Sequence, residues 1–311
     1  PCGGGPSAAA QEASGVYRPT NNYGADCADS NRITASKDEV YRFTAEWQAT
    51  DDVMIYTAWG EGYRPGGLNR FCSVGNEADY GGQGRDDATG AGCDFVPDFL
   101  TSYEVGVKAS LFDGRMLLNA AAFMQEWDDF QFSRLDVAIS PVTLTYNIGQ
   151  AKSDGFEADF SAMISENWSL TGGFSYIEAE LSEDYYASDG LATPTAASGT
   201  TLPRVPDTKW NLSSRYSMDD GWYMQTSYIY TGASYNNLFD GGSLPTKRYK
   251  QKDYQILNAS VGLDKDTWRA ELYIRNVTDE RGEVFRNAVN WDDRIMTNRP
   301  RTLGASMSLK F

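Results

Sequence analysis

Side chains that could bind a small polar ligand occur in four short clusters, each combining aromatic rings with amides or charged groups. The clusters are Tyr63, Arg64, Asn69 and Arg70; Trp127, Asp128 and Phe132; Tyr235, Asn236 and Asn237; and Asn290, Trp291 and Arg299. Rings offer faces for stacking, and the polar groups offer directional hydrogen bonds. This combination suits a chelate or a sugar, but it also suits solvated loop tips and interface anchors. Arg64 and Arg299 could equally form salt bridges within the fold.

The composition argues against enzymatic chemistry and against nucleic acid as a partner. The chain has no histidine, which removes Ser-His-Asp triads and nearly all zinc sites. Acidic pairs such as Asp86-Asp87 could offer oxygen ligands to Ca²⁺, but they lack the spacing of a known calcium loop and favour simple solvation. A net charge of −16 disfavours binding to nucleic acid. We therefore expect no catalytic residues, no metal site and no cofactor.

The four cysteines lie in stretches rich in Gly, Asp and Asn between the regular segments. Their positions predict two local disulfides, Cys2–Cys27 and Cys72–Cys93, in an oxidising compartment. Each bond would restrain its loop by roughly 3 kcal/mol on the chain-entropy estimate. Free thiols or a metal cluster are disfavoured, because neither a C-x-x-C spacing nor a histidine accompanies the cysteines.

Hydrophobic alternation of period two runs from about residue 40 to the end of the chain. In the last strand, one face carries Leu303, Ala305, Met307, Leu309 and Phe311. The opposite face of the same strand is polar, and earlier segments repeat the pattern. Lipid on one side and a wet lumen on the other would satisfy both faces. The fold class predicted is an antiparallel transmembrane β-barrel; a helical membrane protein is excluded because no run of about 18 apolar residues exists.

The segments that join the strands fall into two alternating kinds. We predict about eleven strands, near 38–50, 53–63, 100–111, 115–130, 143–163, 168–179, 207–217, 222–235, 253–263, 268–277 and 302–311. Short acidic or Gly-containing turns join them on one side, and long polar loops join them on the other. This asymmetry is typical of an outer-membrane barrel, in which the long loops are extracellular. Such barrels close with an even number of strands, so we expect roughly half a barrel to be missing from the amino-terminal side.

Several segments resemble one family of outer-membrane proteins. They are Leu272–Glu280, Arg299–Phe311, Ile55–Gly66, Ser102–Lys108 and Asn147–Glu157. Together they are similar to the carboxyl-terminal half of the TonB-dependent outer-membrane receptors. The resemblance implies a plugged barrel of about 22 strands. It also implies that a scarce ligand binds at the external face, and that TonB acts through an amino-terminal segment absent from this chain.

The resemblance sets the expected domain organisation and function. Residues 1–37 are predicted to be the disulfide-stapled tail of an extracellular loop, and 38–311 the carboxyl-terminal part of the barrel, with the plug domain outside this chain. The implied function is TonB-coupled uptake of a ferric siderophore or similar chelate, in contact with outer-membrane lipid. A passive diffusion porin and a surface adhesive or structural barrel are the alternatives. A plug domain preceded by a TonB-contacting segment upstream would exclude both.

Overall fold

The computed structural model describes residues 38–69, 94–135, 143–186, 192–239, 247–287 and 294–309. Its regular elements are all strands, and no helix among these residues could cross a membrane. The strands are β1 (Arg42–Thr50), β2 (Val53–Arg64), β3 (Gly67–Leu68), β4 (Asp94–Phe95), β5 (Asp98–Leu111), β6 (Met116–Asp128), β7 (Gln131–Leu135), β8 (Thr143–Asn147), β9 (Ala151–Met163), β10 (Trp168–Leu181), β11 (Thr208–Ser217), β12 (Trp222–Thr231), β13 (Ser234–Tyr235), β14 (Lys250–Gln251), β15 (Tyr254–Asp264), β16 (Trp268–Arg275), β17 (Glu283–Arg286), β18 (Ile295–Thr297) and β19 (Thr302–Leu309).

Eleven of these strands form one antiparallel sheet, in the order β1-β2-β5-β6-β9-β10-β11-β12-β15-β16-β19. Neighbouring strands of this sheet are consecutive long strands of the chain, with β1 and β19 at its two ends. The predicted number of long strands is therefore confirmed, and each lies within or close to its predicted range, although two of those ranges also include a short strand of a loop hairpin. Continuous alternation lets each strand keep one face apolar without breaking the hydrogen-bonded ladder.

The two faces of the sheet differ sharply in chemistry. One face carries large apolar side chains that are exposed, including Trp47 at 65%, Leu303 at 76% and Met307 at 70%. On the other face, neighbouring strands exchange polar contacts, such as the Asn119 amide donating to Asp159 at 2.9 Å. An apolar surface of this extent is stable only against another apolar phase.

Tyrosines on the polar face lie across glycines of the next strand. Tyr223 on β12 faces Gly262 on β15, and a methyl group at Gly262 would lie 2.4 Å from the tyrosine ring. The Tyr223 hydroxyl donates to Glu271 at 2.5 Å and accepts from Arg269 at 2.8 Å. The same arrangement places Tyr56 across Gly106 and Tyr273 across Gly304.

At the short-turn side of the sheet, each turn is tied to its neighbour. The Arg115 guanidinium donates to the carbonyl of Ile164 at 2.7 Å, and the Asn167 amide donates to the carbonyl of Ser217 at 2.7 Å. These contacts satisfy carbonyls that the ladder leaves unpaired at strand ends.

At the opposite side, four long loops continue as short hairpins: β3–β4, β7–β8, β13–β14 and β17–β18. The strand predicted over 143–163 is two elements, because the chain turns at Gly149, whose φ is +84°. Residues before this turn pair with β7, and those after it join the main sheet as β9. The strand predicted over 222–235 likewise divides into β12 and β13.

A hydrophobic core joins three of the long loops. Its buried members include Leu144, Ile148, Leu181, Tyr185, Leu202, Leu238 and Phe239. Phe239, only 2% exposed, lies with its ring centroid 5.5 Å from that of Phe132 and 5.5 Å from that of Tyr185. The loops after β6, β10 and β12 therefore pack as one body.

Candidate functional site

Arg64, a candidate ligand contact at the end of β2, forms an ion pair with Asp98. Its Nε donates to both oxygens of the Asp98 carboxylate, at 3.0 and 2.9 Å, and Nη2 donates to the same carboxylate. Nη2 also donates to the carbonyl of Gln131 at 3.1 Å, which ties β2 to β7. Asp98 is 1% exposed, so this pair anchors the loops. The salt-bridge interpretation of Arg64 is the one observed.

Tyr63 and Asp128 lie on the apolar face of the sheet or at its margin. Tyr63 stacks on Phe99 of β5, with ring centroids 6.3 Å apart, in the same row as Trp59. Asp128 is opposite Phe99 and accepts from the Gln150 amide at 2.9 Å. These positions suit anchors at the edge of the apolar band.

The side-chain amides of the predicted ligand-binding clusters form hydrogen bonds with backbone N–H and carbonyl groups. Asn69 exchanges two hydrogen bonds with the backbone of Thr145, both at 2.8 Å. Asn236 accepts from the N–H of Tyr249 at 2.6 Å and donates to the carbonyl of Lys247 at 3.2 Å. Asn237 donates to the carbonyl of Phe239 at 3.2 Å. The Asn69 contact joins segments 76 residues apart, and the other two amides hold the turn of their own loop together.

The remaining predicted residues divide between the core and the surface. Trp127 and Phe132 pack against the three-loop core. Arg299 is exposed, and its carbonyl accepts from the Asn276 amide at 3.0 Å. Outside the described residues lie Arg70, Asn290, Trp291, the loop tail 1–37 and the four cysteines of the predicted disulfides.

A group that the sequence analysis missed lies between three long loops. Three guanidinium groups each cover an aromatic ring: Arg248 lies 3.7 Å from the Tyr235 ring, Arg286 4.1 Å from Tyr249, and Arg204 4.8 Å from Phe285. We call these six residues the arginine–aromatic cluster. The only signal in the sequence is the basic run Lys247-Arg248-Tyr249-Lys250 in a strongly acidic chain.

Backbone contacts join the loops that carry this cluster. The Arg204 N–H donates to the carbonyl of Tyr235 at 2.7 Å. The buried Gln251 amide donates to the carbonyl of Glu283 at 3.2 Å, which connects β14 to β17. The cluster is therefore built on fixed elements.

Comparison with known proteins identifies the family. Residues 14–277 match the family model described as "TonB dependent receptor-like, beta-barrel". The chain belongs to the TonB-dependent receptor β-barrels. The family resemblance and the all-β barrel fold predicted from the sequence are confirmed. This places the sheet in the outer membrane, with its apolar face toward lipid and its polar face toward the lumen.

The curated relatives are all much longer than this chain. The chain is 24% identical over 244 residues to the probable TonB-dependent siderophore receptor PiuA of Acinetobacter baumannii, covering 78% of the chain and 30% of that protein. It is 28% identical over 277 residues to the metal-pseudopaline receptor CntO of Pseudomonas aeruginosa, covering 85% and 32%. The chain thus spans about a third of the length of these relatives.

Solved structures share the fold. The ferric yersiniabactin uptake receptor FyuA of Yersinia pestis superposes with a TM-score of 0.66 at 21% identity, covering 87% of this chain and 37% of that one. The ferric-catecholate import receptor Fiu of Escherichia coli gives 0.61 at 20% identity, covering 86% and 34%. The eleven-stranded sheet therefore corresponds to part of a larger receptor barrel.

On this receptor wall, the arginine–aromatic cluster concentrates positive charge at the extracellular end. Guanidinium groups stay charged at all physiological pH values, and their N–H groups are strong donors to anions. On the loop between β16 and β17, Asp279 has its own partners: the backbone N–H of Arg301, donating at 2.8 Å, and the Arg281 guanidinium lower the pKa of its carboxyl. No group of three or more acidic, Cys or His residues among the described residues is arranged to hold a metal ion. The cluster suits an anionic ligand better than a free cation.

Proposed function

We propose that the protein containing this chain is an outer-membrane receptor that takes up a metal chelate, most simply a ferric siderophore, by TonB-coupled transport. Membership of the TonB-dependent receptor barrels is the observation that carries the proposal. Relatives named as receptors for siderophores and for metal-pseudopaline support the chelate class. The protein then has a transport role and no catalytic one.

The arginine–aromatic cluster supports an anionic chelate as the ligand. Ferric chelates built from carboxylates or catecholates carry negative charge and flat ligand groups, which guanidinium groups and rings recognise. Tyr235 belongs to the cluster. We propose Arg70, Asn290, Trp291 and Arg299 as further contacts on neighbouring loops, and the Cys2–Cys27 and Cys72–Cys93 disulfides as restraints on those loops.

Uptake measurements in the native host test the proposal. Cells that lack the gene, starved of iron, are expected to lose accumulation of one radioactive ferric chelate and to regain it on complementation. The same uptake is expected to disappear in a strain without TonB, because coupling to TonB supplies the energy. The receptor would contact TonB through an amino-terminal segment outside this chain.

The porin alternative makes the opposite prediction in the same strains. A diffusion channel would give solute entry that is independent of TonB and proportional to solute concentration. Uptake that persists without TonB would therefore contradict the proposed function. Unchanged uptake of every chelate in the deletion strain would contradict it as well.

A further inference from the structure

Arg204 has a backbone conformation that its side chain makes unfavourable. Its φ is +64°, in the left-handed region that glycine adopts most easily. Pro203 precedes it, as is common for the residue before the positive-φ position of a type II turn. The Arg204 N–H donates to the carbonyl of Tyr235 at 2.7 Å, which fixes this conformation. An arginine where glycine fits better indicates that the side chain itself has a use.

The Arg204 guanidinium is also held in place without a charge partner. It is exposed and lies 4.8 Å from the centroid of the Phe285 ring. Within the part of the chain that the structure describes, it makes no hydrogen bond and no ion pair. The other cluster guanidiniums are engaged: Arg248 donates to the carbonyl of Thr201 at 3.1 Å, and Arg286 lies 3.7 Å from Glu283.

We propose that Arg204 binds a planar oxyanion, a carboxylate or a catecholate, on the ligand, and so makes the receptor specific for anionic chelates. This inference rests on the proposed uptake of a metal chelate. A guanidinium presents paired N–H groups that match two oxygens of such a ligand group. Phe285 supports the guanidinium from its face, so its N–H edges stay turned outward. Because Arg204 contacts the loops of β13 and β17, the bound group would lie where three loops meet.

Binding assays on the purified full-length receptor in detergent test this role. Three probes are used: ferric tricatecholate, ferric citrate and a neutral ferric trihydroxamate. Arg204→Asn removes the charge while tolerating the positive φ, and Arg204→Lys keeps the charge without the planar fork. Arg301→Gln is the matched control, because it removes another exposed arginine at the same end of the barrel.

The expected result is a loss confined to anionic probes. For Arg204→Asn, the Kd of whichever anionic probe binds the wild type rises by about 10- to 100-fold, the usual effect of losing hydrogen bonds to a charged group. Arg204→Lys is intermediate, and Arg301→Gln binds as the wild type does. A loss with citrate alone identifies a carboxylate, and a loss with tricatecholate alone identifies a catecholate.

Three results would overturn the inference while leaving the proposed function intact, and the first two concern the variant. They are unchanged binding of anionic probes by Arg204→Asn, and an equal loss for the neutral probe, which would indicate general damage to the loops. A wild type that binds only the neutral probe would also overturn it. A wild type that binds no chelate would instead remove the proposed function, and the inference with it.

Discussion

Breaking the Arg64–Asp98 ion pair from its two sides is expected to have unequal effects. Asp98 is 1% exposed, whereas 52% of the Arg64 side chain remains accessible. Arg64→Ala strands a buried carboxylate, which costs about 3 kcal/mol even though the Gln131 N–H still donates to it. Asp98→Asn keeps the size and an acceptor oxygen, and leaves a cation that water can solvate. Its expected cost is about 1 kcal/mol.

The double variant makes the prediction sharper. Arg64→Ala with Asp98→Asn removes the stranded charge, so it is expected to be more stable than Arg64→Ala alone by about 1–2 kcal/mol. If the second substitution restores stability, the loss in Arg64→Ala must come from the buried carboxylate that it leaves without a partner.

Hydrogen exchange on the full-length receptor measures the effect locally. In Arg64→Ala, amides over residues 96–100 and 129–132 are expected to exchange roughly 100-fold faster, which corresponds to about 3 kcal/mol. Amides of β12 and β15 serve as the internal control, because they make no contact with the pair. The reasoning is refuted if Asp98→Asn opens these segments as much as Arg64→Ala does, or if the double variant is the least protected of the three.

Three further predictions concern the loop core, the polar face and the extracellular end. Phe239→Ala is expected to cost about 3 kcal/mol and to raise hydrogen exchange in all three loops that share the core, while the main sheet keeps its protection. A rise in one loop only would contradict their packing as one body. Gly262→Val forces the Tyr223 ring off the strand and is expected to cost about 1–3 kcal/mol, measured as a lower temperature of unfolding in detergent. Gly62→Val is the control, because a methyl group at Gly62 would have nothing within 4 Å. Asp279 has a lowered pKa, so its bond to the Arg301 N–H is fully present above the ordinary carboxyl pKa of 3.8 and is lost as pH falls through the lower folded value. Protection of that amide is expected to fall in this acidic range in the wild type, and to be independent of pH in Asp279→Asn, whose amide oxygen accepts a hydrogen bond but does not titrate.

The long strands could be predicted from sequence because each is at least eight residues long, enough for the alternation to be recognised. The interruption at Gly149 was not predicted, although Leu144, Tyr146 and Ile148 alternate with polar residues before it and this alternation stops at Gln150, because a polar stretch can also belong to a strand that lines a wet lumen. A glycine in a strand signals a bend only when its φ is known, and sequence does not supply that angle.

The candidate site was harder to predict because its geometry depends on distant pairs. Asn69 resembles a ligand contact in sequence, yet it bonds to Thr145, which lies 76 residues further along the chain. Arg204 stood in no polar-aromatic cluster of the sequence, and its ring partner Phe285 comes from another loop. Residue types therefore indicated a polar-aromatic extracellular end, but not which side chains were already engaged.

The tyrosines that lie across glycines also affect the space inside the barrel. A ring that fills the place of a missing side chain lies along the wall instead of standing out from it. At Tyr56, Tyr223 and Tyr273 the polar face therefore presents a flat ring and its hydroxyl group, both lying close to the backbone of the next strand. The polar face is correspondingly flatter at these three positions than the large size of tyrosine would suggest.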